Sequence, residues 1–261
     1  MMKKLSFLLM AIVMVAACKS PSKVTQPTTT PGKVKIEAKM AVPNTLTQAE
    51  IDEGWQLLFD GKSTEHWRGY NKPDFPKGWE VVDGTIHVIG SGRGEAGQGG
   101  DIITREKFRN FELSLEWMVD TGGNSGIFYL AREVDGEPIW KSSPEMQILD
   151  NFNHPDAKLG IKGNRQAGAL YDLIPAVPQN FKGPMQWTPV KIMVYKGTVV
   201  HYMNGEQVLE YHLWTDDWKS MCAGSKFKDY DMFINTAEEG YIGLQDHGDD
   251  VWFRNIKIRK M

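Results

Sequence analysis

The segment Pro144-Glu145-Met146-Gln147-Ile148-Leu149-Asp150-Asn151 holds two carboxylates and an amide at a spacing that a strand can present to a ligand. With a period of two, Met146 and Ile148 turn to one face and Glu145 and Gln147 to the other. The apolar pair suits a core between sheets, which leaves Glu145 and Gln147 to line an outer groove. A bulge near Leu149 would bring Asp150 to the same groove, although a plain solvated strand face has this pattern too. His154 follows in a loop, and His247 stands at the end of a strand in Gln245-Asp246-His247-Gly248. On such a loop the His154 imidazole is expected to titrate near neutral pH or to serve as a loop hydrogen-bonder. Arg254, in Phe253-Arg254-Asn255-Ile256, falls on an otherwise apolar face. There it needs an anionic partner, such as Asp150 or Glu145, or else it contacts substrate. Carboxylates, imidazoles and a guanidinium are side chains that acid–base chemistry or ligand binding can use.

The elements that must position these groups are strands. Phe111, Leu113, Leu115 and Trp117 alternate with polar residues, a half-buried strand. Trp79 to Ile89 reads as two strands about Asp83-Gly84. Strands at 125–131 and 144–150 follow, then a hairpin of 190–195 and 198–203 about Lys196-Gly197. Asn204-Gly205 turns the chain into 207–211, and strands at 241–245 and 251–259 close it. Thr47 and Glu50 predict one short capped N-terminal helix. The fold class is all-β, a sandwich or jelly roll of two antiparallel sheets. The glycine-rich stretch 90–100 has no helix after it, so it is a loop and a possible site lid, not a phosphate cradle. The proline-containing stretch 166–186 is placed to close the groove or to pack on another subunit.

The amino terminus directs the chain outward. Lys3 and Lys4 precede an apolar run from Leu5 to Val15, shorter than the roughly 20 residues of a membrane-spanning helix. Val15-Ala16-Ala17-Cys18 resembles a bacterial lipobox, in which the cysteine is acylated. The expected organisation is a signal peptide at 1–17, a Pro/Thr/Lys-rich tether at 18–43 and one domain at 44–261. The basic and neutral residues after Cys18 lean toward a periplasm-facing anchor in the cell envelope. The net charge of -3 becomes -5 without Lys3 and Lys4, which gives no electrostatic reason to bind nucleic acid. Of the two cysteines, Cys222 is expected to pack as a small apolar residue. Oligomeric state is not legible.

Six stretches come in one order: Leu58-Phe59-Asp60-Gly61-Lys62, Ser125-Gly126-Ile127-Phe128-Tyr129, Glu145 to Asn151, Gly168-Ala169-Leu170-Tyr171-Asp172, Gly243 to Gly248, and Phe253 to Ile256. Together they resemble the 3-keto-disaccharide hydrolase domain family over residues 53–260. The resemblance implies a concanavalin-like jelly roll, akin to β-glucanases, that acts on glycosides oxidised to a ketone at carbon 3. Such a ketone acidifies the hydrogen on carbon 2, so a base can start an elimination that hydration completes. In that chemistry His247 or His154 is the base, and Arg254 or Arg132 stabilises charge. Glu145, Gln147 and Asp150 orient hydroxyls, while Asn151, Tyr129, Tyr171, Gln245, Trp214 and Trp218 contact sugar. Trp214 and Trp218 flank an expected loop at Thr215-Asp216-Asp217. A divalent metal held by Glu145, Asp150, His154 and His247 is an option that no ligand spacing compels. Two alternatives remain: direct glycoside hydrolysis by Glu145 and Asp150, and a glycan-binding lipoprotein without catalysis.

Overall fold

The computed structural model of the chain describes residues 42–261. The signal peptide, Cys18 and the tether as far as residue 41 lie outside the described residues. The expected helix is α1 (Gln48–Asp52). The Glu50 N–H donates to the Thr47 hydroxyl, and the Thr47 N–H donates back to the Glu50 carboxylate.

The strands are β1 (Trp55–Leu57), β2 (Trp67–Gly69), β3 (Trp79–Val82), β4 (Thr85–Val88), β5 (Ile102–Thr104), β6 (Phe111–Val119), β7 (Asn124–Ala131), β8 (Glu145–Leu149), β9 (Thr188–Tyr195), β10 (Thr198–Met203), β11 (Glu206–His212), β12 (Tyr241–Leu244) and β13 (Val251–Lys260). One antiparallel sheet runs β11-β10-β9-β6-β13-β4-β3, with β1 on the second half of β13. The other runs β2-β5-β12-β7-β8. The fold is therefore the all-β jelly-roll class that the strand pattern predicts. Its tight turns carry positive φ at both central residues: Asp83-Gly84, Lys196-Gly197 and Asn204-Gly205. That twist matches flanking strands, and a side chain other than Asn, Asp or Gly bears a cost there.

The core lies between the sheets. From β6 it takes Phe111, Leu113, Leu115 and Trp117, and from β7 and β8 it takes Ile127, Tyr129, Met146 and Ile148. Behind β8 the core holds one polar group of three. Tyr129 Oη lies 2.8 Å from His201 Nε2 and 2.7 Å from Tyr211 Oη, and His201 Nδ1 lies 3.1 Å from the Gly168 carbonyl. Burial holds His201 down to about 4, so it stays neutral.

The loop expected around Thr215-Asp216-Asp217 is instead the start of a helix, α2 (Asp216–Ala223), followed by α3 (Asp231–Ile234). Thr215 caps it by accepting the Trp218 N–H, and Asp216 and Asp217 occupy its positive end. Cys222 on α2 is fully buried and its thiol is pushed up to about 12 by burial, the packed residue that its sequence predicts.

Candidate functional site

Two strands of the five-stranded sheet, β7 and β8, and five connecting segments converge on one cavity of 110 Å³. Asn124 of β7 and Glu145 and Gln147 of β8 form its floor, and Gln245 and His247 reach in from just beyond β12. The period-two reading of β8 holds: Met146 and Ile148 are core, and Glu145 and Gln147 face the cavity. Tyr171 and Trp140 form side walls, and Glu95 comes from the glycine-rich loop. Lys226 and Phe227 enter from the connection between α2 and α3. An aromatic stack supports that connection: Tyr211 on Trp218, Trp218 on Phe233, and Phe233 on Phe227, the last pair 3.9 Å between centroids.

The electrostatics of the cavity pair an acid with a cation. Burial raises the Glu145 carboxyl well above the usual carboxylate range. Lys226 opposes that shift, and Asp101 and Glu95 reinforce it. Burial of the Lys226 ammonium lowers its pKa, against the pull of Glu145. The ammonium lies 4.0 Å from the centre of the Tyr171 ring, a cation–π contact. Gln147 Oε1, Gln245 Oε1 and Trp140 Nε1 are buried without hydrogen-bond partners. Three orphaned polar atoms around one cavity are the arrangement a polyhydroxylated ligand would satisfy.

The loops are tied by the motif that supplies His247. Asp246 Oδ2 accepts the N–H groups of Gly99 and Gly100, each at 3.0 Å, and its backbone N–H donates to Asp101. A side chain at Gly97 would collide with the Asp246 carboxylate. Gln245 and His247 thus look into the cavity while Asp246, between them, holds the loop that bears Glu95. On the opposite wall Gly168 and Ala169 pair through their backbones with Gln147, and Tyr171 donates to Asp156 at 3.0 Å. Of stretch 166–186, Tyr171 lines the cavity, while Ala167, Leu170, Ala176 and Phe181 pack in the core.

Several predicted site residues stand elsewhere. Arg254 lies on the larger sheet, where it pairs with Glu116 at 2.7 Å and stacks on Trp187; its partner is neither Asp150 nor Glu145. Arg132 donates to the Asn235 carbonyl, away from the cavity lining. Tyr129 points inward to His201, because the alternation of β7 turns Asn124, not Tyr129, to the cavity. Asp150 is a turn staple: its oxygens accept from the N–H groups of Gly122, Phe152 and Asn153 and from the Asn153 amide. Burial works against that carboxylate, but these donors hold it below its ordinary range. Asn151 accepts the Ala167 N–H. Trp218 is buried beneath α2, and Trp214 donates to the Thr236 carbonyl, off the cavity. His154 caps a 3-10 turn through Nδ1 and stands 6.4 Å from His247, ring to ring, behind the lining.

The four proposed metal ligands do not form a set. Asp150 is already saturated by donors, and no group of three or more His, Cys, Asp or Glu side chains is arranged to hold an ion among the described residues.

Lys226, Glu95, Trp140, Asn124 and Ser143 belong to the lining without having been singled out from sequence. Lys226 had no local signal, since it sits in a polar connection between short helices. Glu95 had one: it is an acid within the glycine-rich loop expected to act as a lid.

Residues 54–259 match the profile of the 3-keto-alpha-glucoside-1,2-lyase-like domain family. The chain belongs to that family. A Bacteroides thetaiotaomicron protein named 3-keto-disaccharide hydrolase is 51% identical over 251 residues, covering 85% of this chain and 87% of that relative. A solved Parabacteroides distasonis structure, described as a candidate glycosyl hydrolase, is 29% identical with a TM-score of 0.76. It covers 84% of this chain and 100% of its own. A second from the same organism is 28% identical with a TM-score of 0.63, over 79% and 99%. Membership bears out an enzyme of the hydrolase kind, and with it the resemblance carried by the six stretches.

Proposed function

We propose that the cavity binds the oxidised ring of a 3-keto-disaccharide and splits its glycosidic bond by elimination followed by hydration. The observation that carries this reading is the meeting of His247, Glu145 and Lys226 in one cavity whose walls hold unpaired amide oxygens. His247 takes the proton from carbon 2, and the C–H electron pair forms the C2–C3 double bond of an enolate. Lys226 stands for the charge that develops on the carbon-3 oxygen. Collapse of the enolate re-forms the ketone, makes the C1–C2 double bond and breaks the bond from carbon 1 to the leaving oxygen. Glu145, kept protonated by burial, gives its proton to that oxygen. Water then adds at carbon 1, passing a proton to the Glu145 carboxylate, while the His247 imidazolium returns its proton to carbon 2. The sum is hydrolysis, and both groups end as they began. One sequence of steps accounts for a family named as lyases and a relative named as a hydrolase.

Direct displacement is the competing reading, favoured by the presence of a second carboxylate, Glu95, in the same cavity. Turnover of a 3-keto-glucoside carrying deuterium at carbon 2 decides between them. Elimination requires a primary isotope effect and no cleavage of the unoxidised glucoside. Equal rates for both isotopes, with cleavage of the ordinary glucoside, would move Glu145 and Glu95 into acid and nucleophile roles.

We also propose that Cys18 carries an acyl anchor in the cell envelope, on the strength of Ala16-Ala17-Cys18 after the apolar run. Cys18→Ser should shift the protein from the detergent-rich to the aqueous phase in a cloud-point partition. Identical partition of both proteins would remove the anchor.

A further inference from the structure

A second cavity, of 420 Å³, abuts the first across Glu95 and Trp140, which line both. Its other walls are Tyr70, Lys72, Ala96, Gly100, Asp101 and Pro138. We infer that this chamber receives the leaving hexose of the disaccharide, so that the scissile bond crosses the divide made by Glu95 and Trp140. The inference rests on the reading of the first cavity given above and adds where the leaving sugar is held.

Two observations support it. The wider chamber is the immediate neighbour of the first cavity, and Glu95 and Trp140 belong to both. The walls of that chamber mix faces and charges in the way a pyranose requires. Tyr70, Trp140 and Pro138 offer apolar surface for the C–H face of a ring, and Glu95, Lys72 and Asp101 offer partners for hydroxyls. Several of these groups are already fixed. Tyr70 Oη donates to the Arg132 carbonyl and accepts the Val134 N–H, each at 3.1 Å, and Lys72 Nζ donates to the Gly99 carbonyl at 2.7 Å. Asp101 accepts the Asp246 N–H through Oδ1 alone, which leaves Oδ2 for a ligand.

Binding and turnover test this separately. By titration calorimetry, an unoxidised glucosyl-hexose should bind the native chain about tenfold tighter than methyl glucoside, the scale of one stacked ring. Tyr70→Ala should erase that advantage without weakening methyl glucoside. In turnover, Tyr70→Ala should lower kcat/KM about tenfold for the 3-keto-disaccharide and less than twofold for methyl 3-keto-glucoside. Because Tyr70 also packs on the outer apolar cluster of Ile103 and Phe128, the exposed Lys72→Ala is the second variant and should show the same selectivity. Equal affinity of the native chain for the two ligands, or equal losses on both substrates, would overturn the subsite. Preference for the disaccharide without cleavage of either keto sugar would leave the subsite standing and remove the chemistry assigned to the first cavity.

Discussion

Gly126 on β7 and Glu145 on β8 interlock: the Glu145 side chain occupies the space that a methyl group on Gly126 would fill. The missing side chain is what lets the carboxyl lie across the neighbouring strand and reach the cavity. Gly126→Ala should therefore displace Glu145, lowering kcat/KM about 10²-fold and costing about 1–3 kcal/mol through overpacking. The double variant Gly126→Ala/Glu145→Ala should regain the stability but not the activity. Chemical denaturation beside initial rates measures both, and full activity of Gly126→Ala would sink the arrangement.

Lys226 and Arg254 part company as cations. Lys226→Met should lower kcat on a 3-keto-disaccharide by about 10²–10³ with little change in KM, since its charge is used where the enolate forms. Arg254→Met should leave kcat within about twofold, because its guanidinium serves Glu116 and Trp187 on the other sheet. Steady-state kinetics on the two variants reverse this assignment if Arg254 proves the costlier loss.

The proton held by Glu145 matters only when the leaving group needs it. Glu145→Gln should lose about 10²–10⁴ in rate with a sugar leaving group. A 4-nitrophenyl 3-keto-glucoside, whose phenolate departs unprotonated, should lose far less. Equal losses on both would show that Glu145 acts on another step.

His201 gives the fold an acid limit. Its pKa is about 4 in the native chain against the ordinary 6.5. The unfolded chain therefore binds the extra proton between those values, and stability falls as pH drops through that window. Between pH 6.5 and 5 the loss from this one group is about 2 kcal/mol. Urea denaturation at pH 7 and pH 5 measures it, and His201→Phe should show a smaller difference between the two pH values, whatever its absolute stability.

The sheets were legible because alternation and tight-turn residues are local signals. β6, β10 and the turns at Lys196-Gly197 and Asn204-Gly205 stand where the pattern places them. The three-residue strands β2 and β5 were not, since so few residues carry no periodicity. Of the residues singled out from sequence, Glu145, Gln147, Tyr171, Gln245 and His247 line one cavity. Asp150 misled because a carboxylate that staples a turn and one that faces a ligand look alike in sequence. Arg254 misled because its partner, Glu116, comes from a strand 138 positions away. Lys226 was missed because only the tertiary fold brings the connection between α2 and α3 over this sheet, whereas Glu95 carried a signal as an acid in the loop expected to act as a lid.

The connection that bears Lys226 has a consequence for how this protein can change. It enters between β11 and β12, rests on its own aromatic stack and contributes no strand to either sheet. The cation proposed for the reaction is thus mounted on a replaceable part, while the proposed acid, Glu145, is built into a strand. A lineage, or a designer, could exchange that part and retarget the cavity without relearning how to fold the two sheets beneath it.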